Sequence, residues 1–381
     1  MVEEANLKIN NSKIKKRESN IELLRILSML MIISFHCVFK SGYDFYDLTF
    51  NTFLVKLFYM FGELGVNLFI LITGYFMVKG KFSLKKVICL ILEVEFYYIF
   101  TMILASILGI YSFNRIKDYI LMFFPIILNQ YWFITAYLLL YIFSPYLNKL
   151  ISNLSKEDYK KFLVLGLLVW CIIPTIFGIF YNSSENVFQF SRLVWVIYIY
   201  FVGSYIRLYS LKLFEKRSNC VKCSVITFIL MSISILFIFK FREFFSSIGT
   251  TEFAYFWTPN SILMFVLSVS VFGIFLNTKI KYNKVINILA STTLGVYMLH
   301  DGNFNWLIWN DLLKVSSHFD KIYAPLFIVC IAIIIYLIGT LIDLFRQRLE
   351  KVTVLKFLNS KKYSDLLDVF KSKYNNLLKK I

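Results

Sequence analysis

Motifs typical of soluble nucleotide-binding and metal-binding proteins are missing from this sequence. The 14 glycines are dispersed along 381 residues, and none of them forms a glycine-rich phosphate loop. Cys220 and Cys223 form a lone C-x-x-C with no second pair and no nearby histidine, so zinc binding is not indicated. The other four cysteines lie in or beside apolar segments and indicate no disulfide framework. The sequence also has no internal repeat. It therefore predicts no metal site and no soluble nucleotide-binding domain.

Apolar residues dominate what is present. They make up 59% of the chain, which contains 41 phenylalanines and has a mean hydropathy of +0.68. This composition is too apolar for a soluble domain, and apolar stretches near the 20-residue spanning length recur along the chain. The sequence predicts an all-α, multi-pass membrane protein with about ten transmembrane helices, at approximately 21–40, 52–78, 84–111, 131–150, 160–181, 192–210, 222–241, 258–276, 285–300 and 322–345.

Lysine and arginine are concentrated in alternate connections between these segments. By the positive-inside rule, the richer connections and both termini are expected on the cytoplasmic side of the cell membrane. The chain then divides into a basic cytoplasmic tail at 1–20, a membrane domain at 21–345 and a basic amphipathic cytoplasmic tail at 346–381. Anionic membrane lipid is the expected partner of these basic segments and explains most of the net charge of +18, so nucleic acid is not expected.

The first predicted span carries two ionisable residues, Arg25 and His36. Its length, Arg25 itself, and the Lys40 that follows it predict that this span is not a cleaved signal peptide. Eleven residues are close to three helical turns, so Arg25 and His36 emerge on nearly the same face, about 16 Å apart along the axis. Ionisable groups within a span often mark a functional site. The structural alternative is an Arg25 that extends to the interface and a neutral, hydrogen-bonded His36.

The second span contains Gly62, Gly65 and Gly74 together with a carboxylate, Glu63. Small residues allow a neighbouring helix or a ligand to approach the backbone closely, and plain helix packing is the alternative to ligand contact. A carboxylate at this depth should be paired, protonated or facing a polar cavity.

Four segments together resemble the membrane acyltransferase-3 family, which includes the O-acetylases of surface glycans. Arg25 and His36 reproduce its R-x10-H pair, and GELGVNLFILITGYF is similar to its second-span motif. YWFITAYLLLYIFSPYL at 131–147 is similar to its W-F-L segment, and LGVYMLH at 294–300 matches its closing segment. The resemblance covers about residues 21–345, in the expected order.

The sequence departs from the family pattern in a few places. Thr73 replaces the usual serine and keeps the hydroxyl, whereas Ile70 replaces a phenylalanine. The third span opens with Lys85 and Lys86 and has no proline after them, where many members carry arginines followed by a proline.

The resemblance implies an enzyme that transfers an acyl group from cytoplasmic acyl-CoA to a hydroxyl of a surface polysaccharide or lipid-linked glycan. Acetyl-CoA is the implied donor, used as a co-substrate. Arg25 is expected to hold a donor phosphate, because guanidinium suits bidentate phosphate contacts. His36 is expected to act either as general base on the acceptor hydroxyl or as a transient acyl carrier, and the sequence does not separate these roles. Glu63, Trp132 and His300 are the expected substrate-binding residues.

Each of these residues also has a structural interpretation. Trp132 suits an interfacial aromatic belt, and His300 suits an ordinary polar helix end. Glu93 and Glu95 in the third span cannot face the same direction on a helix, so at least one of them needs a partner from another span.

Other functional classes stay open at this stage. A transporter or flippase for a lipid-linked oligosaccharide is the main alternative, although such proteins often show paired repeats. A sensor module that keeps the fold without transferase activity is a third. The acceptor, the acyl chain length and the oligomeric state are not determined by the sequence.

Overall fold

The computed structural model describes residues 17–43, 48–112, 116–177, 191–247, 255–302, 306–365 and 368. Within these ranges the chain is helical and contains no strand. The α-helices are α1 Ser19–Phe39, α2 Phe50–Lys56, α3 Tyr59–Met77, α4 Leu84–Ile107, α5 Ile116–Phe123, α6 Trp132–Asn153, α7 Lys156–Leu167, α8 Ile173–Phe177, α9 Arg192–Tyr209, α10 Arg217–Lys240, α11 Arg242–Ser247, α12 Ile262–Leu276, α13 Lys284–Ser291, α14 Thr293–His300, α15 Ala324–Val352 and α16 Val354–Leu358. Single turns of 3₁₀-helix lie at Lys212–Glu215, Tyr255–Trp257 and Val315–His318, and π-helical turns lie at Leu168–Ile172 and Leu307–Leu312.

Eight helical stretches of the described chain are long and apolar enough to cross a membrane. The other two predicted spans are present in a different form. The segment at 192–210 is α9, which carries arginines at both ends, and the segment at 285–300 is split at Thr292 into α13 and α14. The all-α, multi-pass membrane fold is confirmed, and the count of about ten spans is approximate.

The glycines of the second span set the position of α1 and α9 against α3. A Cβ at Gly62 would collide with the Phe35 ring, and one at Gly65 would lie 2.7 Å from the carbonyl oxygen of Ser28. On another side of α3, a Cβ at Gly74 would collide with the backbone of Tyr200. The glycines are therefore helix-packing positions, as the structural alternative proposed, and two of them hold α3 against the helix that carries Arg25 and His36.

Helix α14 is wedged between α1, α4 and α15. Gly295 faces the Tyr97 hydroxyl and the Asp343 carboxylate, which are joined by a hydrogen bond of 2.6 Å from Tyr97. Any larger residue than glycine would push α14 away from this pair. Thr292, at the break before α14, hydrogen-bonds Thr340 of α15 at 3.0 Å. These contacts hold the short helix that ends at His300 in a defined place.

The buried guanidinium of Arg346 is the partner of one of the two carboxylates in the third span. Arg346 of α15 reaches Glu93 at 3.0 Å and also contacts Asp343 at 2.7 Å and Glu350 at 2.8 Å. Glu93 therefore has the partner from another span that the sequence required. Glu95 lies elsewhere on α4, and its buried Oε2 atom has no hydrogen bond to a described residue.

The predicted boundary between membrane domain and tail at 345/346 falls inside a helix, since α15 continues to Val352 with Arg346 buried. Residues 1–16 of the predicted N-terminal tail, 178–181 of the fifth span, and 366, 367 and 369–381 of the C-terminal tail lie outside the described residues.

Candidate active site

The two histidines predicted near the ends of distant spans are in direct contact. Nδ1 of His36, in the last turn of α1, lies 3.0 Å from Nε2 of His300, the last residue of α14. The residues are 264 positions apart in the chain. About 10% of the His36 side chain stays accessible, so a small reacting group has access to an otherwise buried ring.

The hydrogen bonds fix which nitrogen of His36 is free. Nδ1 of His300 lies 2.7 Å from the carbonyl oxygen of Val296. A carbonyl only accepts, so this Nδ1 carries the proton, and Nε2 of a neutral His300 has the lone pair. Nε2 of His300 therefore accepts from Nδ1–H of His36. The consequence is a neutral His36 whose basic lone pair is on Nε2.

An acidic residue and a lysine complete this group. Oδ1 of Asp301 lies 3.7 Å from Nε2 of His36, and Lys40 forms an ion pair with the same carboxylate. When His36 Nε2 takes up a proton, the carboxylate stabilises the resulting imidazolium. Sequence reasoning missed both residues as site members. Their signals were present, because Lys40 is four residues after His36, on the same helical face, and Asp301 directly follows His300.

A narrow cleft of about 10 Å³, with room for about one water molecule, lies between Glu63 and Trp132. It is lined by these two residues, Arg192 and an apolar set comprising Val66, Trp195, Val196 and Pro259. The Arg192 guanidinium lies 4.2 Å from the centre of the Trp132 ring and interacts electrostatically with Glu63. Sequence reasoning missed Arg192, which is the first residue of the predicted sixth span. Trp132 thus carries a cation on its ring, an arrangement that an aromatic belt does not require.

Buried hydrogen bonds support the wall of this cleft. Nε1 of Trp195 donates to Oδ1 of Asn67 at 2.9 Å, and the Asn67 amide donates to the carbonyl oxygen of Pro259 at 2.9 Å. Asn67 lies one helical turn after Glu63 on α3. The bonds therefore join α3, α9 and the segment before α12 around the Glu63 carboxylate.

Tyr297 lies between the histidine pair and the cleft. Its ring meets the His300 ring edge to face, with centroids 6.0 Å apart, and its hydroxyl interacts electrostatically with both Asp301 and Arg192. Tyr297 therefore interacts with both groups of polar residues.

Arg25 is separate from both groups. It lies in the second turn of α1, with Nη1 3.7 Å from Oε2 of Glu22 and 29% of its side chain accessible. The eleven intervening residues place it about 16 Å from His36 along the helix axis. The structure brings His36 together with His300, and Glu63 with Trp132. Arg25 contacts neither pair and lies toward the other end of α1.

Comparison with known proteins supplies the chemistry of these residues. A family model described as an acyltransferase domain matches residues 18–344. The chain belongs to the acyltransferase-3 family. No curated protein and no solved structure matches it. The predicted family is confirmed, and the protein is a membrane acyltransferase. The matched residues of this acyltransferase run from the start of α1 into α15 and include both histidines, Asp301 and the Glu63 cleft.

Proposed function

We propose that this protein is a membrane O-acyltransferase that moves an acetyl group from cytoplasmic acetyl-CoA to a hydroxyl of a surface polysaccharide or lipid-linked glycan. The observation that carries the proposal is the His36–His300 contact, which leaves an oriented basic nitrogen beside a carboxylate in an acyltransferase domain. An activated hydroxyl needs such a base, and a base needs a third group to fix its orientation.

His36 acts on the acceptor hydroxyl in this proposal. Its Nε2 takes the hydroxyl proton while the acceptor oxygen attacks the thioester carbonyl carbon. Asp301 stabilises the imidazolium, and the same nitrogen then returns the proton to the departing coenzyme A sulfur. His300 holds the ring in the required tautomer. The acyl-carrier alternative uses the same free Nε2 and forms an acyl-imidazole before the acceptor arrives.

The donor approaches from the cytoplasmic end of α1. With both termini cytoplasmic, as the basic connections predict, Arg25 lies near the cytoplasmic end and His36 toward the outer side. The offset of about 16 Å is comparable to the length of an extended pantetheine arm. Arg25 therefore holds a donor phosphate while the thioester reaches His36.

Glu63, Trp132 and Arg192 recognise the acceptor at the opening of their narrow cleft, which is too small to enclose a sugar ring. A carboxylate accepts hydrogen bonds from sugar hydroxyls, a guanidinium donates to sugar oxygens, and an indole packs against the apolar face of a sugar ring. Tyr297 packs against His300 and interacts electrostatically with Arg192, so this proposal places the reacting hydroxyl of the acceptor between the cleft and His36.

Product analysis tests the proposal. The purified protein in lipid nanodiscs would be given acetyl-CoA labelled with ¹³C in the acetyl group and the glycan fraction of source cells that lack this protein. We expect labelled O-acetyl esters on the glycan by NMR and free coenzyme A in equal amount. Glycan that stays unlabelled would contradict the proposal and favour the transporter alternative.

Glu63→Gln should lower the transfer rate about 10-fold or more at an unchanged level of folded protein. The amide keeps the size of the side chain but loses the charge that accepts sugar hydroxyls and faces Arg192. The measurement is the rate of ester formation at several acceptor concentrations. Glu95→Gln, in another membrane helix and outside the cleft, is the control and should act as wild type. Equal rates for Glu63→Gln and wild type would remove Glu63 from the site.

Arg25→Lys should weaken acetyl-CoA binding about 10-fold and leave the rate at saturating donor nearly unchanged. Lysine keeps the positive charge but loses the planar pair of donors that grips a phosphate. Donor binding is measured by calorimetry on the purified protein. Arg207→Lys is the control, because Arg207 is bound to the Tyr75 hydroxyl at 2.8 Å. A fall in the saturated rate with unchanged donor affinity would reject a donor-binding role for Arg25.

A further inference from the structure

The hydroxyl of Tyr297 is a buried polar group at the centre of the site. The residue is 3% exposed, and its oxygen has no hydrogen bond of normal geometry to a described residue, although the Asp301 carboxylate is close enough to interact with it. Leaving a buried hydroxyl without a partner costs about 1–3 kcal/mol, so such groups are uncommon unless they serve a ligand. Several other buried tyrosines in the described part of the chain have hydrogen-bond partners. The hydroxyl of Tyr159 donates to the carbonyl oxygen of Phe201 at 2.7 Å, for example.

The surroundings of Tyr297 place this hydroxyl beside the reacting atoms. Its ring packs edge to face on His300, and Phe133 and Tyr131 close the other sides with ring centroids at 5.8 and 6.2 Å. The Asp301 carboxylate lies 3.7 Å from Nε2 of His36 and also interacts with the Tyr297 hydroxyl. The hydroxyl and the free nitrogen of His36 therefore both interact with Asp301.

The charge near the hydroxyl suits a developing anion. Asp301 alone would repel negative charge, but its carboxylate is already paired with Lys40. Arg192 contributes a further positive charge that reaches Tyr297 from the cleft. The aromatic walls exclude water, which strengthens any hydrogen bond formed to an anion there.

We propose that Tyr297 is a catalytic residue whose phenol donates a hydrogen bond to the thioester carbonyl oxygen as that oxygen becomes negatively charged. This role rests on the acyl transfer proposed above. A base alone does not stabilise the negative charge that develops on the carbonyl oxygen, and Tyr297 would provide this stabilisation.

Tyr297 acts while the acceptor oxygen adds to the thioester. The acceptor oxygen forms a bond to the thioester carbonyl carbon, its proton moves to Nε2 of His36, and the carbonyl π electrons move onto oxygen. Tyr297 donates to this oxyanion and keeps its own proton. The tetrahedral intermediate then collapses, the carbon–sulfur bond breaks, and the proton on His36 goes to the coenzyme A sulfur. The products are the ester and the free thiol.

Tyr297→Phe separates this role from a structural one, because it removes only an oxygen that has no hydrogen bond of normal geometry to a described residue. We expect the rate at saturating substrates to fall about 10²–10³-fold, the usual effect of losing one oxyanion donor. The KM values for acetyl-CoA and for the extracted glycan should change less than about threefold. The thermal midpoint in detergent should change little, since no hydrogen bond of normal geometry to a described residue is lost. Tyr159→Phe is the matched control and should show the reverse, a lower midpoint with an unchanged rate.

Three other outcomes for Tyr297→Phe would contradict the proposal. A Tyr297→Phe protein that transfers at the wild-type rate overturns the proposal, as does one whose acceptor KM rises while the saturated rate is kept. A fall in midpoint as large as that of Tyr159→Phe also overturns it, because the hydroxyl would then be a structural donor. These results leave the proposed function intact if wild type forms the ester, whereas a wild-type protein that forms none rejects the function itself.

Discussion

His36→Ala should abolish acyl transfer, with a rate at least 10²–10⁴-fold below wild type, the usual cost of losing a general base. Donor binding should stay within about threefold, because Arg25 lies about 16 Å away along α1. The variant should still insert, since alanine does not make the span less apolar. The measurements are labelled-acetyl transfer and acetyl-CoA binding on the same purified sample.

His318→Ala provides a matched control. His318 is the third histidine of the chain, half-buried in a short 3₁₀ turn, with its ring stacked on Phe327 at 4.2 Å. Its removal should leave transfer unchanged. Near wild-type transfer by His36→Ala would contradict the catalytic role of His36 and make the transporter hypothesis the better one.

His300→Leu should reduce transfer about 10²-fold or more, although His300 does not touch the substrate in the proposed mechanism. Without an acceptor on His300, Nδ1–H of His36 loses the partner that fixes its tautomer and ring orientation, and loss of the orienting group in other base-assisted enzymes costs up to about 10⁴-fold. The rate is measured at saturating acetyl-CoA and glycan.

His300→Gln distinguishes orientation from bulk packing. A glutamine amide supplies one acceptor for His36 and one donor for the Val296 carbonyl, as the neutral imidazole does. We expect it to recover at least about tenfold of the activity lost in His300→Leu. Equal activity of the leucine and glutamine variants would show that hydrogen bonding at this position does not orient His36.

Periodicity and motif order predicted the parts of this molecule that are local in sequence. The all-α fold follows from repeated apolar stretches, and the common face of Arg25 and His36 follows from eleven residues on one helix. Helix packing was correctly kept as the alternative to ligand contact for the glycines of α3, because a small residue in a membrane helix is informative wherever it lies. Such inferences need only helical geometry.

Long-range pairing had to come from the structure. Nothing in the sequence states that His300 meets His36 across 264 residues, or that Arg192 covers Trp132. At least one of Glu93 and Glu95 was predicted to need a partner from another span, but many basic residues were available and only tertiary packing selects Arg346 for Glu93. Likewise, the buried hydroxyl of Tyr297 is recognised only when its surroundings are known, since the sequence contains 25 tyrosines.

The most direct test of the central claim is sided acyl transfer in sealed proteoliposomes that contain wild type or His36→Ala. ¹³C-acetyl-CoA is enclosed on the side of the termini and the glycan is supplied on the other side. The account predicts that wild type produces labelled O-acetyl glycan outside and free coenzyme A inside, and that His36→Ala produces neither. Appearance of unmodified glycan inside the vesicles, with no ester formed by wild type, would contradict it.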